Sequence, residues 1–276
     1  MTKINYIIFD NDGVNIDSEH VAMEDMAEFG YKLVSRYVDP ETVGLKQNDI
    51  FVEYKGVSSN LIIEALINRY NLPVEAIRED YSVPKDADLG EFLSNLHTES
   101  VIKKFESELF TLPGVVETWK HIRNRFAEGF RAICTTSRAD RMHASKHAID
   151  PETGENAGWA KMFTDKDNLR LSGYGHANKY EYFRELHPDW EPAETVAIED
   201  TAGSTKKAID AGFENVIGIV ASKFQILDDE GNFSRDKQLG EIQKLKEAGA
   251  KIIVTDYRDI PAAIEWMEAG MDMNSE

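Results

Sequence analysis

Short apolar runs recur along the chain, and most of them end in acids, hydroxyls or glycine. Runs without polar alternation predict buried strands of a parallel sheet; they span residues 4–9, 130–135, 195–198, 215–220 and 251–255. Helical spacing of apolar residues occurs between the later runs, at 114–126, 179–186, 205–211 and 240–248. This alternation of strands and helices predicts an α/β fold with a Rossmann-like, doubly wound parallel sheet.

The segment between the first two predicted strands has a different pattern. From Asp17 to about Phe110 no run has the character of a core strand, and amphipathic helices are predicted at 18–29, 60–70 and 89–109. An insertion of this length is large enough to form a small domain of its own. We therefore predict a discontinuous α/β core domain, residues 1–16 and 111–276, and an α-helical cap domain, residues 17–110.

The charge balance narrows the range of partners. The 276 residues include 31 Lys and Arg against 50 Asp and Glu, a net charge of −19. Such a chain repels nucleic-acid phosphates and anionic lipid, so we expect a small-molecule partner, and neither nucleic acid nor membrane. The single cysteine, Cys134, fits a reducing compartment, and the apolar run at 4–9 is too short for a signal segment or membrane span. These features predict a cytoplasmic protein. They leave its oligomeric state open, as a monomer or a homodimer.

Two acid pairs follow predicted strands. Asp10 and Asp12 follow the first strand, and Glu199 and Asp200 follow the third predicted strand. In an open α/β sheet, ligands bind beyond the carboxyl ends of the strands, and carboxylate oxygens suit Mg²⁺. Taken alone, the first pair could equally be a solvated turn, and Asp200 or Thr201 is better interpreted as a helix N-cap. Together they favour a Mg²⁺ site, with the Asp10 and Asp200 carboxylates within about 5 Å of each other.

Neutral hydrogen-bond donors and one lysine complete the candidate chemistry. Thr135, Thr136 and Ser137 follow the second predicted strand, where hydroxyl and amide groups can bind a phosphate oxygen. Lys179 precedes a predicted helix and could neutralise a phosphate. Each signal alone also fits a simpler role, a helix cap for the hydroxyls and a solvated surface group for the lysine.

The order of these residues along the chain resembles that of the haloacid dehalogenase-like (HAD) hydrolase superfamily. The subfamily that this chain resembles has a helical cap inserted after the first strand. It contains β-phosphoglucomutase and many sugar-phosphate phosphatases. Residues 9–19 (FDNDGVNIDSE) are similar to its first motif and cap entry, residues 112–115 (LPGV) to its cap exit, and residues 198–212 to its fourth motif. Asn178-Lys179-Tyr180 departs from the third motif, where Lys-Pro is common.

The resemblance implies catalytic roles for four residues. Asp10 would be the nucleophile that attacks phosphorus and forms an aspartyl-phosphate. Asp12 would be the general acid that protonates the leaving oxygen and then activates water. Thr135 would donate a hydrogen bond to the phosphate, and Lys179 would neutralise the phosphate and orient Asp10.

The resemblance also implies a Mg²⁺ cofactor and further substrate contacts. The implied metal ligands are Asp10, Asp12 (through its backbone carbonyl), Asp200 and, directly or through water, Glu199. Thr136 and Ser137 would contact the substrate beside Thr135.

The superfamily includes several reaction types, and particular residues of this chain distinguish among them. Asp12 argues against dehalogenation, because a halide leaves without a proton. Phosphonate hydrolysis uses a lysine, and phosphomutation an arginine, three positions after a cap-loop glycine. The best match, Gly56, places Ser59 there, and a second alignment at Gly44 places Gln47 there; neither side chain can do either task. Gly56 and Ser59 are then candidate substrate contacts.

We therefore predict a Mg²⁺-dependent phosphatase that acts on a small phosphorylated metabolite, a sugar phosphate. The alternative within the family is a phosphomutase of the β-phosphoglucomutase type. The alternative from a different class is a non-catalytic binding protein with the HAD fold.

Overall fold

The apolar runs form one sheet of six parallel strands. The computed structural model describes residues 3–54, 57–126, 130–157, 170–228 and 230–270. The strands are β1 Tyr6–Phe9, β2 Arg131–Thr135, β3 Arg170–Ser172, β4 Thr195–Glu199, β5 Asn215–Ile219 and β6 Ile252–Val254. Their order across the sheet is β3-β2-β1-β4-β5-β6, and every pairing is parallel. The predicted α/β fold with a Rossmann-like parallel sheet is confirmed.

Successive residues of the central strand β1 pack on opposite faces of the sheet, as a strand requires. Ile7 and Phe9 belong to one apolar cluster, together with Trp119. Ile8 belongs to a second cluster, together with Phe183. Because both faces are covered, the strands carry continuous apolar runs rather than alternating ones.

Strand β3 is the strand that the apolar pattern does not predict. It has three residues that pair with β2 at one edge of the sheet. All three are only half-buried, so the segment carries no apolar run that could be recognised in the sequence. The ends of the other strands lie within two residues of their predicted positions.

The helices lie between these strands, in the long insertion after β1 and, for the last one, after β6. In chain order they are α1 Ser18–Ser35, α2 Pro40–Val43, α3 Gln47–Glu53, α4 Ser59–Arg69, α5 Val74–Asp80, α6 Leu89–Glu108, α7 Val115–Arg125, α8 Ala139–Ala144, α9 Lys179–Leu186, α10 Ala202–Asp210, α11 Lys223–Ile226, α12 Arg235–Glu247 and α13 Ile260–Ala269. Helices α10 and α12 begin earlier than predicted, because the side chains of Thr201 and Ser234 cap them by accepting backbone N–H groups.

The chain divides into two compact units. The first comprises Met1–Glu19 and Phe105–Glu276 and contains the sheet, and the second is His20–Lys104. The second unit is helical and slightly shorter at both ends than the predicted cap, residues 17–110. Within the described ranges, no helix combines the length and the apolar character that a membrane crossing requires.

Candidate active site

The chain leaves β1 in a tight turn at the carboxyl edge of the sheet. Asp10 continues the strand by one residue, and its N–H donates to the carbonyl of Ile198 in β4 at 3.0 Å. The Gly13 N–H donates to the Ile16 carbonyl at 2.8 Å, with Gly13 at a φ of +74°, which favours glycine. The Asn15 side chain donates to the Asp10 carbonyl at 2.7 Å. These bonds fix the turn that carries Asp10 and Asp12.

Gly13 is the point at which this turn approaches the end of β4. A Cβ at position 13 would lie 2.0 Å from Asp200 Oδ2, so glycine alone leaves room for that carboxylate. Thr201, rather than Asp200, is the N-cap of α10, and its side chain accepts from the Ser204 N–H at 3.3 Å. The Asp200 carbonyl accepts from the Gln225 side chain at 2.8 Å. The Asp200 carboxylate is therefore not used as a helix cap.

Three carboxylates converge where β1 and β4 end. Oxygens of Asp10, Glu199 and Asp200 lie within 4.8 Å of one another, and all three side chains are buried. This spacing is inside the predicted limit of about 5 Å and close to the ~4.2 Å span of two opposed Mg–O bonds. Glu199 Oε2 is buried and has no hydrogen-bond partner among the described residues. Hard oxygen donors with one of them unpartnered fit a divalent cation such as Mg²⁺.

Lys179, the first residue of α9, supplies positive charge to this cluster. Its Nζ lies 3.0 Å from Asp10 Oδ2 and 2.8 Å from Glu199 Oε1, and its side chain is fully buried. Gly173 allows the approach, since a Cβ there would lie 2.6 Å from Lys179 Cβ. Although burial opposes it, the two carboxylates raise the pKa of Lys179 above its ordinary value, so the ammonium stays charged.

The clustered acids carry more negative charge than one lysine neutralises. Burial raises the pKa of Asp10 despite the opposing effect of Lys179, and burial with neighbouring carboxylates raises the pKa of Asp200 well above its ordinary value. Burial also raises the pKa of Glu199 to about 7, and the buried Tyr180 hydroxyl donates to Glu199 Oε1. A bound cation would favour the ionised form of all three acids.

Asp12 has a different environment, dominated by hydrogen-bond donors. Its Oδ2 accepts from Ser137 Oγ at 2.6 Å and from Thr135 Oγ1 at 3.1 Å. Its Oδ1 accepts from the Ser18 hydroxyl and lies 3.3 Å from Arg141 Nη2. Although burial opposes it, the Arg141 guanidinium and these hydroxyls lower the pKa of Asp12 below its ordinary value. The side chain of Asp12 is not among the converging metal-ligand candidates of the described residues.

The residues predicted to contact the substrate lie in different surroundings. Ser137 binds Asp12, whereas the side chain of Thr136 is exposed. Ser59 is the first residue of α4 in the second unit, where its Oγ lies 3.2 Å from His97 Nδ1. Gly56 lies outside the described residues.

Among the described residues, side-chain hydrogen bonds to the candidate acids also come from Ser18 and Arg141 at Asp12 and from Tyr180 at Glu199, none of which the sequence singles out. Ser18 lies inside the first motif, and Tyr180 is the residue that departs from the usual Lys-Pro pair, so each carries a weak signal. Arg141 carries none, because its position depends on the phase and packing of α8.

The chain matches no protein-family model and no sequence among the curated proteins. Its structure, however, is similar to solved structures over nearly the whole chain. A phosphonoacetaldehyde hydrolase-like protein from Oleispira antarctica has a TM-score of 0.63 and 14% identity, with 99% of this chain and 95% of that chain covered. A HAD family hydrolase from Deinococcus radiodurans R1, solved with bound phosphate and sodium, has a TM-score of 0.59 and 17% identity, with 99% of both chains covered. A putative β-phosphoglucomutase from Thermotoga maritima has a TM-score of 0.59 and 18% identity, with 96% of this chain and 99% of that chain covered. The chain has the haloacid dehalogenase-like fold.

This HAD-like fold accounts for the position of the acids. Parallel strands end at the same edge of the sheet, and β1 lies between β2 and β4. Residues at the carboxyl ends of these three strands therefore meet. Thr135 is the last residue of β2, and Asp10 and Asp200 directly follow β1 and β4, although the three residues are far apart in the sequence. The fold that the motifs imply is confirmed by these similar structures.

Proposed function

We propose that the protein is a Mg²⁺-dependent phosphatase that hydrolyses a small phosphorylated metabolite, of the sugar-phosphate class, through an aspartyl-phosphate on Asp10. The observation that carries this proposal is the convergence of Asp10, Glu199 and Asp200 around the buried Lys179. Additional support comes from the similar hydrolase of D. radiodurans, which was solved with phosphate bound.

The reaction proceeds in two displacements at phosphorus. A carboxylate oxygen of Asp10 forms a bond to phosphorus as the ester P–O bond breaks. Asp12 is protonated in the complex, because the negative charge of the bound phosphate raises its pKa, and it gives this proton to the leaving oxygen. Asp12 then takes a proton from water, whose oxygen bonds to phosphorus as the Asp10–phosphorus bond breaks. Inorganic phosphate leaves, and both aspartates return to their starting states.

The approach of a dianionic ester to these carboxylates requires charge compensation. Bound Mg²⁺ supplies positive charge beside the phosphate, and Asp10, Glu199 and Asp200 would hold it. Lys179 and the Tyr180 hydroxyl both contact Glu199 Oε1, which leaves Oε2 for the cation. Lys179 also fixes one oxygen of Asp10 through its 3.0 Å ion pair.

Hydrolysis is favoured over phosphomutation because a mutase must grip a second phosphate while its product reorients. Arginine supplies a bidentate, permanently charged group for that purpose. Ser59, at the expected position, supplies one hydroxyl, which lies 3.2 Å from a ring nitrogen of His97. The aspartyl-phosphate is therefore proposed to react with water.

A screen of phosphate esters tests the proposal. Sugar phosphates, nucleotides and other small phosphate esters are incubated with the protein, with Mg²⁺ or with EDTA, and released phosphate is measured. We expect release only with Mg²⁺, and a loss of several orders of magnitude in Asp10→Asn. Asp86→Asn, which neutralises an exposed aspartate of the second unit, should retain full activity. Full activity in EDTA, or in Asp10→Asn, would contradict the proposal.

A further inference from the structure

Arg141 is a cation that contacts Asp12, the proposed general acid, and both residues belong to the unit that contains the sheet. It lies on α8, which follows β2, and its Nη2 is 3.3 Å from Asp12 Oδ1. Its guanidinium also lies over the Phe105 ring, 5.4 Å from the ring centroid. The side chain is 25% exposed, and its Nε is buried without a hydrogen-bond partner among the described residues. Packing on Phe105 therefore holds the guanidinium beside Asp12.

The two oxygens of Asp12 are held from different sides. Hydroxyls of Ser137 and Thr135 bind Oδ2, and the Ser18 hydroxyl and Arg141 bind Oδ1. A hydroxyl rotates about its bond and can donate or accept. A guanidinium is planar, permanently charged and only donates, so among these partners Arg141 imposes the strongest directional constraint. Without it, every remaining partner of the carboxylate would be a hydroxyl, and hydroxyls can follow a rotation of the carboxylate about its Cβ–Cγ bond.

We propose that Arg141 is a positioning residue, which fixes the Asp12 carboxylate in the orientation needed for proton transfer to the leaving oxygen. The inference rests on the proposed phosphatase function, because it assigns the proton transfer to Asp12. Arg141 itself acts through Asp12 and has no part in binding the cation, whose candidate ligands are Asp10, Glu199 and Asp200.

The test compares Arg141→Met with the wild type on two esters. Methionine keeps an unbranched apolar stem on Phe105 and removes the guanidinium. Glycerol 2-phosphate has a poor leaving group that needs a proton, whereas 2,4-dinitrophenyl phosphate has a leaving group that does not. We expect kcat/KM, which reports the first displacement and not the hydrolysis of the aspartyl-phosphate, to fall by about 10-fold to 100-fold on the first ester, a part of the ~10²–10⁴ that general acid catalysis contributes. On the second ester it should change little, and Arg141→Lys should restore part of the loss.

A matched control separates this effect from loss of an arginine in general. Arg125 pairs with Glu268 at 2.8 Å, is 29% exposed, and lies over the Phe126 ring at 5.4 Å. Arg125→Met therefore removes the same kind of contact away from Asp12, and should affect neither ester. Equal losses on both esters in Arg141→Met, or no loss on either, would overturn the inference.

A second readout does not depend on turnover. Crystal structures of the wild type and Arg141→Met should show one orientation of the Asp12 carboxylate in the first and a rotated or divided one in the second. An unchanged Asp12 in the variant would overturn the inference. If the wild type hydrolyses neither these two esters nor any other in the screen, or Asp10→Asn retains activity, the proposed function is wrong, and the crystallographic comparison still decides whether Arg141 orients Asp12.

Discussion

At the scale of single residues, the site depends on how closely the backbone of one turn approaches a carboxylate. Gly13 has a φ of +74°, and a Cβ there would lie 2.0 Å from Asp200 Oδ2. Gly154 has a similar φ of +71°, but a Cβ there would meet nothing within 4 Å. An alanine would therefore strain the backbone at either position. Only at Gly13 would its Cβ also collide with Asp200, a candidate metal ligand.

We expect substitution by alanine to have different effects at Gly13 and at Gly154. Gly154→Ala should lower the free energy of unfolding by ~1–2 kcal/mol, the cost of alanine in the left-handed region, and leave Mg²⁺ affinity unchanged. Gly13→Ala should lower it at least as much and also weaken Mg²⁺ binding by about tenfold or more, because Asp200 must move. Denaturant unfolding and calorimetric Mg²⁺ titration measure the two effects. Equal Mg²⁺ affinity in both variants would contradict the account of Gly13.

Residues that directly follow strands were the predictable part of the site. Asp10, Glu199 and Asp200 lie at or next to strand ends, and the parallel topology alone brings them together. Arg141 and Tyr180 reach the site through long side chains on helices. Their contacts depend on helix phase and side-chain rotamer, which one sequence does not determine.

At the scale of elements, the junction between β4 and α10 contains two neighbouring residues with different roles, a helix cap and a candidate metal ligand. Thr201 accepts the Ser204 N–H as the N-cap, while the adjacent Asp200 carboxylate belongs to the acid cluster. Both were candidates for the cap from the sequence, since Asp and Thr are both favoured there. The structure assigns the two tasks to two neighbouring residues.

The two tasks can be removed one at a time. Thr201→Ala should lower the free energy of unfolding by ~0.5–2 kcal/mol through loss of the cap, and leave Mg²⁺ affinity unchanged. Asp200→Asn should abolish measurable Mg²⁺ binding without destabilising the metal-free protein near pH 8, because a neutral amide replaces a buried carboxyl whose ionisation is opposed by burial and by neighbouring carboxylates. The same unfolding and titration measurements apply. Loss of Mg²⁺ binding in Thr201→Ala alone would reverse these assignments.

Elements were predictable where the sequence carries an apolar run or a helical period. The strands β1, β2, β4, β5 and β6 and the helix α9 lie close to their predicted ranges. Strand β3 is as short as β6 but is half-buried and carries no apolar run, and the four-residue helices α2 and α11 are too short to show a helical period. Such short elements are stabilised by contacts with neighbouring elements, as pairing with β2 stabilises β3.

At the scale of the whole molecule, buried acids make stability depend on pH and on the cation. Burial raises the pKa of Glu199 to about 7 from its ordinary value of 4.5. Between these values the native state keeps a proton that the unfolded chain has released. This contribution to stability is therefore present at low pH and lost as pH rises through about 7.

Mg²⁺ should offset that loss, because it binds the ionised carboxylates of the native state. We expect the rise in Tm on replacing EDTA with Mg²⁺ to be larger near pH 8 than near pH 5. Thermal unfolding at the two pH values, with and without Mg²⁺, measures it. In Asp200→Asn the rise should be absent at both. An equal rise in the wild type at both pH values would contradict the assigned role of the buried acids.

The central claim is that Asp10 becomes phosphorylated during Mg²⁺-dependent hydrolysis, and chemical trapping tests it most directly. The protein is mixed with Mg²⁺ and the best ester from the screen, quenched within the first turnovers, and treated with borohydride, which reduces an acyl phosphate to an alcohol. Peptide mass spectrometry then locates the reduced residue. We expect reduction at Asp10, and none with EDTA or in Asp10→Asn. Reduction at another residue, or phosphate release from a variant without the Asp10 carboxylate, would contradict it.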